Sequence, residues 1–303
     1  MIQPNLPAFS VTETDGLLAG PVRRPTNISK AAAGSIHDDA TAAKLGFRGG
    51  TVAGNIHHEQ FTPMMIHLFG PEWMRTGNLS LFFLSPTTDG EPVQVFARRP
   101  SARPEGGFRA EVWMEDPQGT RICEGTAAVG PPDMDSELRR RLKSVRPATD
   151  LRLLADSRVG DQCHDVPARL ERDRTDWRLE VITEPMPEFE DAAVWGEVVA
   201  ASGVGIDAMR VVEGPLFRPK SEFVGMFGAI EVQHLAGPIF IEHDYMADGR
   251  LLALSESPKT EVAWFESTLK AAADGTPVAR MILMTRLLKA SSPLWTEGGA
   301  GVA

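Results

Sequence analysis

The most regular hydrophobic pattern in the first half of the chain runs from about Asn55 to Phe69. Its apolar residues recur at spacings close to the ~3.6 residues of one helical turn, which places them on one side of an amphipathic helix. They are Ile56, Phe61, Met64, Met65 and Leu68. Gly70 and Pro71 follow, and this pair is typical of a helix end. We therefore predict a helix here with one buried stripe.

After this helix the pattern changes to short apolar runs separated by turn residues, which is typical of antiparallel strands. The predicted strands are Leu79–Leu84, Pro92–Arg98, Phe108–Met114 and Arg121–Val129. Prolines are frequent before the helix, at Pro4, Pro7, Pro21 and Pro25, so residues 1–26 are expected to be rich in loops. The first half thus reads as one long helix followed by a sheet.

The second half of the chain repeats this order. Gly196–Ala200 is similar to Gly50–Gly54, which lies 146 positions earlier, and a second helix is predicted at Ser202–Val212. Strands are predicted after it at Pro238–Tyr245, Glu261–Lys270 and Pro277–Leu288. Self-similarity of this kind indicates a duplicated unit. We predict an α+β protein of two repeats, residues 1–148 and 149–303, each a long helix wrapped by an antiparallel sheet.

Composition and charge narrow the class of protein. The chain has 303 residues, 42% of them hydrophobic, and a formal net charge of −10, which disfavours a nucleic-acid partner. It lacks an apolar run of about 18 residues and a signal-like start, so no membrane partner and a cytoplasmic location are expected. The two cysteines are far apart, and patterns for zinc, dinucleotides or phosphate loops are missing, so neither a metal nor a cofactor is expected.

The residues before the first helix resemble a known family. Ser35–Asp39, Gly46–Gly50 and Val52–Gly54 are similar to the hydratase segment of the MaoC-like branch of the hotdog superfamily. There the pattern D-x-N-P-x-H-x-D precedes a short helix, F-G-G and a small-residue turn into a long helix. The resemblance implies a double hotdog fold. It also implies a hydratase or dehydratase that acts on an enoyl or 3-hydroxyacyl thioester of coenzyme A or a carrier protein.

The resemblance carries individual roles onto this chain. His37 matches the catalytic histidine, and Asp39 matches the acidic residue two positions later. Gly54 and Asn55 begin the helix, whose free N–H groups would hold the thioester carbonyl, and Val52 belongs to the same substrate-binding turn. These residues form the core of the predicted site.

One expected catalytic group is missing from this pattern. Ala32 stands where the family has its catalytic aspartate, five residues before the histidine. His57, His58 and Glu59 follow the helix start, and we hypothesise that Glu59 or one of these histidines replaces the aspartate. Since consecutive helical residues point about 100° apart, one histidine is expected to flank the substrate and the other to be more exposed. We assign His58 and Glu59 to catalysis and His57 to substrate binding.

Three kinds of function remain open at this point. The first is the hydro-lyase, and the second is a thioesterase, isomerase or cyclase on the same scaffold with altered catalytic residues. The third is a non-catalytic acyl-binding protein or subunit. Thr183 falls at the position of the histidine in the second repeat, so one site per chain is expected, and a homodimer is plausible for duplicated halves. The phosphates of coenzyme A need basic partners, for which Arg48, Arg98, Arg99 and Arg103 are available.

Overall fold

The computed structural model describes residues 9–296, which form a single large antiparallel sheet with helices packed on it. The strands of the first half are β1 (Thr12–Thr14), β2 (Leu17–Arg23), β3 (Asn78–Phe83), β4 (Val93–Arg98), β5 (Ser101–Ala102), β6 (Phe108–Glu115) and β7 (Arg121–Val129). Those of the second half are β8 (Gln162–Arg169), β9 (Gly225–His234), β10 (Asp244–Glu256), β11 (Thr260–Ala271) and β12 (Pro277–Leu288).

The helices lie mostly between the strands of each half. In the first half they are α1 (Asp39–Lys44), α2 (Gly54–Glu59), α3 (Thr62–Phe69), α4 (Trp73–Thr76) and α5 (Glu137–Lys143). In the second half they are α6 (Arg172–Leu179), α7 (Ser202–Met209), α8 (Glu213–Leu216) and α9 (Pro293–Thr296), with 3₁₀ turns at Pro187–Phe189, Arg210–Val212 and Lys289–Ser291. None of the helices in residues 9–296 is long and apolar enough to cross a membrane.

The two halves meet at the ladder between β3 and β9. The strand order is β1-β2-β4-β6-β7-β3-β9-β12-β11-β10-β8, with β5 beside β6. The strands from β1 to β3 in this order all come from the first half, and those from β9 to β8 all come from the second. The ladder is antiparallel and runs from Asn78 opposite Gln233 to Phe82 opposite Ala229. Because the pairing continues across the halves, α2 and α7 contact each other on the same face of the sheet.

One apolar core runs through both halves beneath these helices. Phe61, Met64 and Leu81 belong to it in the first half, and Ile206 and Phe265 in the second, all fully buried. The predicted helix 55–69 is confirmed in outline, but it is interrupted at Gln60 and Phe61. Pro63 explains the interruption, because a proline has no N–H to donate to the carbonyl of Glu59 one turn earlier.

The predicted strands of the first half are confirmed, as are those at Glu261–Lys270 and Pro277–Leu288. The prediction that residues 1–26 are rich in loops missed two strands, β1 and β2, which lie there, while Pro4 and Pro7 fall outside the described residues. Pro21 is accommodated because the register of β2 against β4 shifts between Ala19 and Val22.

The strand prediction at Pro238–Tyr245 is also wrong. Only an isolated bridge at Phe240 is present before β10 begins at Asp244. The strand of the second half that pairs with β3 is β9. Its glycines and buried polar residues, such as Glu231, hide the alternation on which strand prediction relies.

A buried ion pair fixes α2 against the second half. Arg178 of α6 donates from Nε to Oε2 of Glu59 at 2.8 Å, and both side chains are almost fully buried. Gly203 of α7 leaves room for the pair, because a Cβ at this position would lie 2.3 Å from Oε2 of Glu59. The junction between the halves therefore depends on close approach of α7 to charged atoms.

We expect Gly203→Ala to lower the free energy of unfolding by about 1–3 kcal/mol, because the added methyl group must displace a buried ion pair. Gly214→Ala is the matched control, since a Cβ at Gly214 meets no atom within 4 Å, and its effect should stay within about 1 kcal/mol. Urea unfolding of both variants provides the measurement. Equal stability of the two variants would contradict this account of the junction.

Candidate functional site

A cavity of about 360 Å³, here called the main cavity, lies between the start of α2 and the helices of the second half. Its first-half lining includes Ile28, Ser29, His37, Val52, Gly54, Asn55, His57, Phe83 and Thr87. Its second-half lining includes Arg174, Trp177, Arg178, Val204, Asp207, Arg210, Glu213, Phe227 and Arg286. The cavity is therefore built by both repeats.

Of the four residues predicted to be catalytic, His37, Asp39, His58 and Glu59, only His37 lines this cavity. Its Nδ1 lies 2.7 Å from the carbonyl oxygen of Thr51. Since a carbonyl only accepts hydrogen bonds, Nδ1 carries the proton in the neutral ring, and Nε2 is left with a free lone pair. The backbone of His37 is held by Asn27, whose amide donates to its carbonyl at 2.8 Å. Burial, and to a smaller extent the positive charge of Arg210, lower the pKa of His37.

The start of α2 forms the neighbouring wall. Gly54 and Asn55 are the first two residues of the helix, whose N–H groups have no acceptor within it. Gly54 is required by close packing, because a Cβ there would lie 2.8 Å from the ring of Phe83. The side-chain oxygen of Asn55 is buried without a hydrogen-bond partner among residues 9–296. Val52 lines the cavity as well, so the predicted substrate-binding residues lie together.

His57 lines the cavity but has no free nitrogen. Its Nε2 lies 2.7 Å from the hydroxyl of Thr87, and its Nδ1 lies 3.0 Å from the side-chain oxygen of Gln60. Burial lowers its pKa to about 4, so the ring is neutral near pH 7. A neutral histidine with two fixed partners can shape the cavity but has no lone pair to offer as a base.

The remaining predicted residues do not line the main cavity. Asp39 accepts the N–H of Gly50 at 2.7 Å and so fixes the turn after α1. His58 is fully buried with Nδ1 3.1 Å from the hydroxyl of Ser202, and burial lowers its pKa to about 3. The expectation that one of the two helix histidines is more exposed is therefore wrong. Glu59 is held by Arg178, and burial raises its pKa while the guanidinium opposes that shift.

Ala32 does not line the main cavity. It is exposed in a series of turns between Ile28 and Asp38, and Ser29 lines the main cavity instead. The sequence offered no signal for this, because small residues such as Ala31–Ser35 fit turns and helices equally well.

Sequence reasoning also missed the charged residues that the second repeat contributes. Asp207, Arg210 and Glu213 lie on or near the predicted helix Ser202–Val212, but its pattern does not tell which cavity they face. The four arginines that the sequence makes available for the phosphates of coenzyme A do not line the cavity. Arg48, Arg99 and Arg103 pair with Glu91, Glu13 and Asp133, and Arg98 lies 5.7 Å from the ring of Trp113.

The second repeat has a collapsed counterpart of the main cavity. The helix starts Gly54 and Ser202, like the bridged residues Thr51 and Val199, lie 148 positions apart, two more than the sequence comparison indicates. With this offset, His37 corresponds to Pro185 rather than to Thr183. The hydroxyl of Thr183 instead accepts a hydrogen bond from the side-chain amide of Gln60 at 3.0 Å. Near Ser202 only about 20 Å³ remains, enclosed by Trp73, Phe189, Met209 and His234 among others.

Comparison with known proteins supports the fold. No family model and no curated protein matches the sequence. In the structure, the chain is similar to a protein of Chloroflexus aurantiacus provisionally described as a MaoC domain protein dehydratase, with 12% identity, a TM-score of 0.61 and coverage of 94% of this chain and 95% of that one.

Two further structures agree. Rv0216 of Mycobacterium tuberculosis, described as having a double hotdog fold, has 12% identity and a TM-score of 0.59, and the match covers 93% of this chain and 96% of that one. A MaoC-like dehydratase has 15% identity and a TM-score of 0.51, with 93% and 97% covered. The protein has the double hotdog fold, as its sequence predicts, and its structural neighbours include MaoC-like dehydratases.

Proposed function

We propose that the protein is a hydratase or dehydratase of an enoyl or 3-hydroxyacyl thioester, with His37 as its acid–base group. The observation that carries this proposal is the hydrogen bond from Nδ1 of His37 to Thr51, which leaves a neutral ring with a free Nε2 in the main cavity. The structural neighbours described as MaoC-like dehydratases support the same class of reaction. The cytoplasmic location and the homodimer remain predictions.

In the hydration direction, Nε2 of His37 takes a proton from a water molecule as the water oxygen bonds to the β-carbon of the enoyl thioester. The electron pair of the double bond moves toward the thioester carbonyl and gives an enolate. The imidazolium then returns its proton to the α-carbon, so one water is added and the histidine is regenerated. A single histidine can serve both steps because its ordinary pKa lies near neutrality.

The start of α2 is proposed to hold the thioester carbonyl. Backbone N–H groups at Gly54 and Asn55 would donate to the oxygen that becomes negative in the enolate, which is where donors lower the barrier most. Gly54 allows the substrate to approach the backbone closely. Val52 and His57 would flank the acyl group, and Thr87 would keep His57 in place.

The other predicted catalytic residues receive positioning roles in this proposal. Asp39 would fix the turn at Gly50, His58 would bind α7 through Ser202, and Glu59 would anchor α2 through Arg178. None of them needs to exchange a proton with the substrate. This differs from the hypothesis that one of them replaces the family aspartate.

Replacement of His37 tests the proposal. We expect His37→Gln to lower kcat/KM by about 10²–10⁴-fold, the usual contribution of an acid–base group. The measurement is incubation with a panel of enoyl- and 3-hydroxyacyl-CoA thioesters, read by mass spectrometry as gain or loss of one water. His164→Gln is the control, because its side chain is 64% exposed and does not line the cavity.

The products also separate the alternatives. A free acid would indicate a thioesterase, and a product of unchanged mass would indicate an isomerase or cyclase. Full activity of His37→Gln would remove His37 from the mechanism, and wild-type protein that binds thioesters without converting them would be an acyl-binding protein.

The pH dependence of kcat/KM gives a second test. Because the folded-state pKa of His37 lies below 6.5, the base form should dominate at pH 7, and activity should be lost only as the pH falls below 6.5. Arg210→Met removes a positive charge that contributes to this lowering, so the acid limb should move to higher pH. Arg210→Lys keeps the charge and should leave the limb in place. A limb that does not move in Arg210→Met would rule out this electrostatic link.

A further inference from the structure

The main cavity carries one positive charge that no carboxylate among residues 9–296 neutralises. Four arginines line it: Arg174, Arg178, Arg210 and Arg286. Arg174 pairs with Asp207 at 2.9 Å, Arg178 with Glu59 at 2.7 Å, and Arg210 with Glu213 at 2.8 Å. No carboxylate of residues 9–296 forms an ion pair with Arg286. The chain has a net charge of −10, so carboxylates are in excess, and buried cations are normally paired with one. Arg286 at the cavity wall is an exception to this rule.

The surroundings of Arg286 make this charge costly. Its one hydrogen bond within the described residues is a long one, from Nη2 to the carbonyl oxygen of Phe83 at 3.3 Å. Its guanidinium lies 5.4 Å from the centre of the Phe82 ring, and the guanidinium of Arg141 lies 3.8 Å from the same ring. Burial, and then the charge of Arg141, lower the pKa of Arg286. A partly desolvated cation beside another cation is stabilised when an anion approaches.

The position of Arg286 connects it to the proposed thioester subsite. Phe83 is the last residue of β3; its carbonyl meets Arg286, while its ring packs against Gly54 at the start of α2. One residue therefore separates the unpaired guanidinium from the proposed carbonyl-binding site. Gly54 and Arg286 line the same cavity, so one ligand can contact both.

We propose that Arg286 binds an anionic oxygen group of the ligand, a carboxylate or a phosphate, at the edge of the main cavity. The inference deepens the proposed function, on which it rests for the thioester nature of the ligand. The two sources of the anion are a terminal carboxylate on the acyl chain and a phosphate of the coenzyme A carrier. A guanidinium suits both, since its N–H groups match the oxygens of either anion.

Isothermal titration calorimetry with three stable ligands tests this inference without turnover. Butyryl-pantetheine has neither anion, butyryl-CoA adds phosphates, and glutaryl-pantetheine adds a carboxylate. We expect Arg286→Gln to weaken binding of at least one anionic ligand by about ten- to a hundredfold, as expected for a hydrogen bond to a charged group. Binding of butyryl-pantetheine should be unchanged. Arg286→Lys should retain part of the affinity.

The pattern of losses identifies the source of the anion. A loss for butyryl-CoA indicates the phosphate, and a loss for glutaryl-pantetheine indicates the carboxylate. Arg98→Gln is the charge-matched control, because it removes one exposed cation outside the cavity and should change none of the three affinities. Equal losses for all three ligands, no loss for any, or no binding by the wild type would each overturn the inference.

Two further readouts keep this outcome separate from other failures. If Arg286→Gln does not fold, the salt dependence of ligand binding to the wild-type protein tests the inference instead. Added salt should weaken the binding of an anionic ligand more than the binding of butyryl-pantetheine. Equal salt dependence for the two ligands would overturn the inference. Anion-dependent binding that survives while the His37 assay shows no turnover would refute the proposed reaction and leave the anion subsite standing.

Discussion

The antiparallel pairing of β3 with β9 is the interaction on which the rest of the structure depends. It merges two sheets into one and sets the distance between the helices that each sheet carries. Phe83 at the end of β3 and Phe227 within β9 both reach Gly54, so the wall of the main cavity is shaped directly by the junction. A shift of the ladder by one residue would turn every side chain of β3 to the other face and dismantle that wall.

Buried polar contacts complete the junction between the halves. Glu59 meets Arg178, Gln60 meets Thr183, and Arg23 meets Glu184, each pair with one member in either half. Such pairs add little net stability, because desolvation offsets the attraction between the charges. Their effect is to select one way of docking the two halves, because any other arrangement would leave charges buried without partners. The shape of the main cavity therefore depends on contacts between the halves, one of which lies in the cavity wall through Arg178.

The sequence predicts the parts of this protein that follow local rules. The stripe of Phe61 and Met64, the hairpin strands and the small-residue turn before Gly54 are visible because periodicity and turn chemistry are local. The site is less predictable because it is assembled across the halves. Whether Glu59 faces the cavity or Arg178, and whether Arg210 approaches His37, depends on how two repeats dock. The hydrophobic pattern that the two halves share does not specify this docking, and a spacing rule does not predict that Ala32 is exposed in a series of turns.

The collapsed counterpart of the main cavity shows what covalent duplication permits. In a symmetric dimer of single repeats, every substitution occurs at both sites, so a bulky residue that fills one cleft fills the other. Here Trp73 and Phe189 enclose one cleft while the other stays open. When the two repeats lie in one chain, equivalent positions of the repeats can therefore carry different residues. The second repeat has Pro185 where the first has His37, and it supplies Asp207 and Arg210 to the wall of the main cavity, so the two halves bring different side chains to one site.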